Sequence, residues 1–394
     1  MTAEETPASS TIDETTQAQT TTEVTTDATA DSQEATPATE ALEWHAPVLV
    51  RIDEHTTIPH LLKERVQRGA TRPLILRKIG IGDTWRSITA REFYDEVHAL
   101  AAGLIARGLE PGDRVAIMSR TRYEWTLLDF ACWAAGLVPV PIYETSSIDQ
   151  VAHVLVDADV HLIITETVSM AEIVRAAAER ENRDNTHVLS LDSEAIETLI
   201  AEGSATPRER VLARSEALTK DDIATIVYTS GTTGTPKGTV LSHENFTNLC
   251  LNAHAWMPEI AAGKNSRLLL FLPLAHVFAR FLQVFQISGN GVLGHASNIK
   301  NLLGDLASFK PSYLLVVPRV LEKIYNSADT KASGPKRKIF RWAAKVAIAY
   351  SQALDTEEGP SASLKAQHAL ADKLVYQQII RLVGGNADYI VSGG

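Results

Sequence analysis

Apolar residues along this chain switch repeatedly between helical and strand spacing. Phe93, Val97, Leu100 and Leu104 recur one helical turn apart behind Thr89-Ala90-Arg91-Glu92, a capping box, and Gly108 closes that helix. Gly112-Asp113-Arg114 then turns into Val115-Ala116-Ile117-Met118, a short apolar run that predicts a buried strand. The signals repeat as helix Tyr123 to Ala135, strand Val138 to Ile142, a short helix opened by Ser147 and Gln150, and strand Val160 to Ile164. Helix Ala171 to Ala178, strand His187 to Leu191 and helix Glu194 to Ala201 follow. Upstream, Pro47 to Val50 is expected as an edge strand, Ile58 to Val66 as a helix and Pro73 to Leu76 as a strand. Pro139 and Pro141 cannot donate to a ladder, so Val138 to Ile142 is expected to lie at a sheet edge or to fray early. This alternation predicts an α/β fold, a multi-layer sandwich of largely parallel sheets with helices.

The second half continues the pattern. Residues 202 to 220 are polar and predict a surface linker. Strands are expected at Ile223 to Val227, Thr239 to Leu241, Arg267 to Leu272, Gly291 to His295, Tyr313 to Val317 and Asp388 to Val391. Ser242 can cap a helix running through Cys250, and Pro318 suits the first turn of another. Two amphipathic helices come next, one with Ile339, Ala343, Val346 and Tyr350 on a face, the other with Leu364, Ala371, Val375, Ile379 and Leu382.

Charge changes the picture at the N-terminus. Residues 1 to 40 carry nine of the acidic side chains and no Lys or Arg, so the rest of a chain of net charge −11 is close to neutral. Residues 1 to 42 hold hardly any large apolar group and are expected to be a disordered, solvated tail. The near-neutral body gives no nucleic-acid signal. Cys132 and Cys250 sit in apolar helical patterns and read as reduced core residues, which fits a cytoplasmic location. The first residues lack the basic, apolar pattern of a secretory leader, so none is expected, and no apolar run approaches the ~18 residues of a transmembrane segment. Lys336, Arg337, Lys338, Arg341 and Lys345 crowd the head of one helix. That face is expected to be solvated, with peripheral contact to an anionic membrane surface or contact to CoA phosphates as the alternative.

The richest chemistry lies in Tyr228-Thr229-Ser230-Gly231-Thr232-Thr233-Gly234-Thr235-Pro236-Lys237-Gly238, between two predicted strands. Its glycines bring backbone N–H groups close to a bound anion, its hydroxyls add neutral donors, and Lys237 adds a point charge. The stretch reads as a polyphosphate cradle. The nucleoside-triphosphatase loop needs Gly-Lys-Ser/Thr and then a helix, whereas Pro236-Lys237-Gly238 leads into a strand.

These eleven residues resemble the phosphate loop of the adenylate-forming (AMP-binding) superfamily. Leu272-Pro273-Leu274-Ala275-His276-Val277-Phe278-Ala279-Arg280 is similar to the histidine-bearing segment of fatty acyl-CoA synthetases. Pro318-Arg319-Val320-Leu321 and the helical stretch 335–383 look like the long-chain fatty acid–CoA ligase type. The resemblance implies a partial N-terminal AMP-binding domain over 46–394 with a helical insertion at 335–383. It implies activation of a fatty acid with ATP and Mg²⁺ to acyl-adenylate and pyrophosphate, then acyl transfer to CoA. Carried over by position, Thr229, Ser230, Gly231, Thr232, Thr233, Gly234 and Lys237 would grip the ATP phosphates, and His276 would line the acyl site. Ala279 and Arg280 stand where some relatives carry an aromatic gate. Ser392, Gly393 and Gly394 would edge the adenine and acyl end. The family's Tyr-Gly-x-Thr-Glu segment, with its adenine-packing aromatic and Mg²⁺-holding glutamate, does not occur in the 394 residues. The small C-terminal domain is likewise expected to be absent, and the isolated chain to show negligible turnover. Another acyl or aryl acid ligase, and a non-catalytic nucleotide-binding remnant, stay open as alternatives.

Overall fold

Twelve strands are resolved in a computed structural model that describes residues 47–80, 84–229, 236–261, 263 and 266–392. They are β1 (Pro73–Lys78), β2 (Trp85–Thr89), β3 (Arg114–Met118), β4 (Val138–Ile142), β5 (Leu162–Thr165) and β6 (His187–Ser190). β7 (Ile223–Thr229), β8 (Lys237–Ser242), β9 (Arg267–Leu270), β10 (Val292–His295), β11 (Tyr313–Val316) and β12 (Tyr389–Ser392) follow. One sheet runs β12-β11-β9-β10-β1-β2, a second β4-β3-β5-β6, and β7 and β8 form a hairpin of their own. Among the described pairings only β1–β2 and β7–β8 are antiparallel.

Period-two alternation explains the layering, because successive side chains leave a strand on opposite faces. In the four-stranded sheet, Val115, Ile117, Leu162 and Ile164 join a central core, while Ala116, Met118 and Ile163 pack with Val151, Leu155 and Val174 on the far face. In the six-stranded sheet, Leu268, Leu270, Leu293 and Leu315 join that same central core, and Leu269, Leu314 and Val316 turn toward Leu302, Leu306 and Phe309. The helices Ile58–Gly69, Ala90–Ala106, Tyr123–Ala134 and Val277–Ser288 fill the space between the sheets. Tyr123–Ala134 is buried on every face, so its sequence shows little amphipathic contrast.

The caps form as predicted. Thr89 Oγ1 accepts from Glu92 N at 3.2 Å while Glu92 returns the bond to Thr89 N at 2.7 Å. Ser147 and Gln150 make the equivalent exchange. β4 lies at a sheet edge, as its prolines require, yet it is fully buried because the β7–β8 hairpin covers it. Cys132 and Cys250 are both wholly buried, and burial pushes both thiols up.

Three expectations are corrected, and one strand was not foreseen. Leu49 and Val50 form no strand; both N–H groups donate to Asn252 Oδ1, at 2.8 and 3.0 Å. The polar stretch after residue 202 is not a linker but carries the helix Arg208–Ala217, held by buried Val211 and by Arg214 donating to Leu109 O at 2.6 Å. β2 has no counterpart among the predicted strands; its Arg86 and Ser87 are exposed, which breaks the apolar signal. In the helix Gly334–Leu354 the buried face is Phe340, Ala343 and Val346, and Ile339 is exposed. The expected disordered tail, 1–42, lies outside the described residues.

Candidate functional site

The hairpin register pairs Thr229 with Lys237 and Tyr228 with Gly238, so the two ends of the predicted phosphate loop are neighbours. Ser230, Gly231, Thr232, Thr233 and Gly234 lie outside the described residues, as do Gly393 and Gly394. The hairpin is clamped to the helix Ile148–Asp157. Tyr228 donates its phenol to Asp157 Oδ2 at 2.6 Å, and His153 Nε2 donates to Pro236 O at 2.7 Å. The His153 and Tyr228 rings meet edge to face at 5.7 Å. Burial, then Asp157, pushes the Tyr228 phenol above its ordinary value, so it stays a donor. A Cβ on Gly238 would sit 2.9 Å from Ile226 Cγ2 and 3.1 Å from Tyr228 Cζ, so any larger residue there would push against both side chains.

The opposite end of β7 is locked into the core. Trp133 Nε1 donates to Ala224 O and Thr225 Oγ1 to Pro139 O, both at 2.7 Å. Arg280 donates to Thr225 Oγ1 and to Asp129 Oδ1, both at 2.6 Å, and Gln283 donates to Asp129 Oδ2 at 2.9 Å. Arg280 and Ala279 are both fully buried, so neither faces a binding cavity as a gate would. Arg280 instead ties β7, which leads into the predicted phosphate loop, to the helix capped by His276.

His276 is the N-cap of Val277–Ser288 and is exposed. Its Nδ1 accepts from Phe278 N at 3.2 Å, so in the neutral ring Nε2 carries the proton and remains a donor. A cavity of about 390 Å³ joins these pieces. Thr229, Pro236 and His276 line it, with Tyr143, Thr145 and Ser146 from the turn after β4 and Gln150 from the first turn of the helix Ile148–Asp157. The structure thus places Thr229 and His276 on one cavity. Lys237 stands exposed at the head of β8. Ser392 does not line this cavity; it is exposed on β12, paired with Val316. The residues at 143–150, His153 and Asp157 escaped sequence reasoning, although the Ser147–Gln150 capping box marked where that wall begins.

Two largely parallel sheets around a shared helical core, with this hairpin beside their strand ends, define the adenylate-forming fold. The A domain of carboxylic acid reductase from Segniliparus rugosus, solved with AMP and a co-purified carboxylic acid, covers 86% of this chain and 56% of its own length. Its TM-score is 0.59 at 18% identity. Residues 62–374 match the AMP-binding enzyme family, and the chain belongs to that family. Long-chain-fatty-acid–CoA ligase FadD15 of Mycobacterium bovis is 39% identical over 355 residues, which are 89% of this chain and 58% of that protein. Long chain acyl-CoA synthetase 5 of Arabidopsis thaliana is 29% identical, over 82% of this chain and 50% of its own. The chain therefore spans between half and three-fifths of the length of these relatives.

Proposed function

We propose that the protein formed by these residues is a long-chain fatty acid–CoA ligase, which joins a fatty acid to ATP as acyl-adenylate and pyrophosphate and then passes the acyl group to CoA. The observation that carries this is the single cavity shared by Thr229, at the mouth of the phosphate loop, and His276. A carboxylate is a weak nucleophile, and its attack on a phosphate concentrates negative charge. The site must hold both reactants in line and meet that charge with donors. Thr229, Lys237 and the loop residues Ser230, Gly231, Thr232, Thr233 and Gly234 are assigned to the phosphates. His276 is assigned to the acyl wall, where Nε2–H can donate to the carboxyl oxygens, and Ser392, Gly393 and Gly394 to the adenine edge. Mg²⁺ would accompany the triphosphate. No cluster of three potential metal ligands occurs among the described residues, so no step is routed through it.

The helical stretch 335–383 is read as an insertion that favours long chains. The test is ATP-dependent acyl-CoA formation with palmitate against medium-chain and aryl acids. Preference for palmitate is expected, and preference for an aryl acid would sink the assignment.

The same helices suit peripheral contact with an anionic lipid surface. Residues 318–383 hold eleven Lys and Arg against six Asp and Glu. Lys331 and Lys336 edge a groove of about 370 Å³ lined by Ile339, Leu374, Ile379 and Leu382. Among the described residues no helix is long and apolar enough to cross a membrane. Binding to anionic liposomes should fall with salt and disappear when Lys336, Arg337, Lys338, Arg341 and Lys345 are neutralised; unchanged binding would exclude this contact.

A further inference from the structure

A second cavity, of about 550 Å³, opens where the carboxyl ends of β1, β3, β5 and β10 converge. Ligands of open α/β sheets bind outside such strand ends. Its wall carries Arg77, Arg120, Arg122, Glu124, Glu166 and His295, to none of which the ligase reading gives a role. The two carboxylates are buried, with side chains 11% and 3% exposed, while the side chains of Arg77, Arg120 and Arg122 are 42%, 48% and 30% exposed.

Each carboxylate is shared. Glu124 accepts from Arg77 Nη2 and Arg122 Nε, both at 2.5 Å. Glu166 accepts from Arg120 Nε at 3.0 Å and lies 3.6 Å from Arg122 Nη1. Burial alone would push both carboxyls up, but the arginines hold both below the usual carboxylate range. Three guanidiniums are therefore positioned by two charged carboxylates, and one positive charge is left over. Among the described residues, Arg77 Nε and Nη1, Arg120 Nη1 and Arg122 Nη2 donate to no protein acceptor. His295 is 7% exposed; its Nε2 meets Thr126 Oγ1 at 2.7 Å, and its buried Nδ1 has no partner among the described residues. Ser297, Asn298 and Asn301 complete a polar wall unsuited to an alkyl chain.

We propose that this cavity binds a phosphate or pyrophosphate group, free or borne on a nucleotide. Guanidinium forks held in place by buried carboxylates match phosphate oxygens and need little ordering on binding. The cavity is separate from that of Thr229 and His276, but the two share a strut. Thr121, on the wall of this one, donates to Leu272 O at 2.6 Å and accepts from Leu274 N at 3.1 Å, in the segment leading to His276.

Calorimetric titration of inorganic pyrophosphate into the wild-type chain, Lys237→Ala, Arg77→Gln and Arg77→Lys tests this. Arg77 is the position to change, because Glu124 keeps Arg122 when it is lost. A binding event is expected that survives Lys237→Ala and weakens about tenfold or more in Arg77→Gln. Arg77→Lys, which keeps the charge and loses the fork, should fall between, and it stands in if Arg77→Gln does not fold. Loss of all pyrophosphate binding in Lys237→Ala, with no effect at Arg77, would overturn the proposal. Competition by CoA but not by dephospho-CoA would trace the group to a 3′-phosphate; competition by neither would mark a free anion. An Arg77-dependent site would stand even if Lys237 proved unimportant for ATP, so the two assignments fail separately.

Discussion

Single side chains at the hairpin divide into those proposed to meet the ATP phosphates and those that hold the hairpin. Lys237 is exposed, and among the described residues its removal leaves no buried group unpaired. Lys237→Ala is therefore expected to lower ATP affinity about tenfold or more with the unfolding midpoint unchanged. Gly238→Ala forces a Cβ into Ile226 and Tyr228, so it should lower both, at a stability cost of about 1–3 kcal/mol. Calorimetry and urea titration on the two variants separate these roles; a stability loss in Lys237→Ala would mean that the lysine is a structural residue. The motif was legible in sequence because glycine, hydroxyl and lysine at this spacing are chemically distinctive. Tyr228–Asp157 and His153–Pro236 were not, because each links residues about 70 or more positions apart that only the folded chain makes neighbours.

Elements are held together here by a buried polar knot. Asp129 in the helix Tyr123–Ala134 meets Arg280 in the helix Val277–Ser288, and Arg280 reaches Thr225 in β7. Both charges are at most 1% exposed. Removing one leaves the other buried and unpaired, so Asp129→Ala should cost on the order of 3–5 kcal/mol, whereas the same change at exposed Asp149 should cost little. Urea midpoints for the two variants would show it; equal losses would mean the knot carries no special weight. In sequence Arg280 only stood where some relatives carry an aromatic gate. Its burial was not readable there, since it depends on Asp129 and Thr225, which the fold brings to it from distant positions.

For the whole molecule, acid is the clearest liability. His243 and His295 are buried and pushed down to about 4 by burial, whereas an unfolded histidine titrates near ~6.5. Between those values the unfolded chain takes up protons that the folded one refuses, so stability present above pH ~6.5 is lost as pH falls toward 4. Glu124 and Glu166, held low by arginines, extend the loss below that range. Urea midpoints should fall steeply from pH 7 to pH 5, and His243→Gln should flatten the slope. A profile without slope there would contradict the burial of these rings.

The α/β alternation, the capping boxes, the edge position of β4 and the phosphate-loop motif were all present in the chain read as text, because each rests on local spacing or local hydrogen bonding. The wall from Tyr143 to Gln150, the placement of Arg280 in the core, the helix Arg208–Ala217 and the arginine cavity at the strand ends were not. Each depends on which distant surfaces the two sheets bring together, and on burial, which decides whether a charge is a ligand for something else or a brace for the fold.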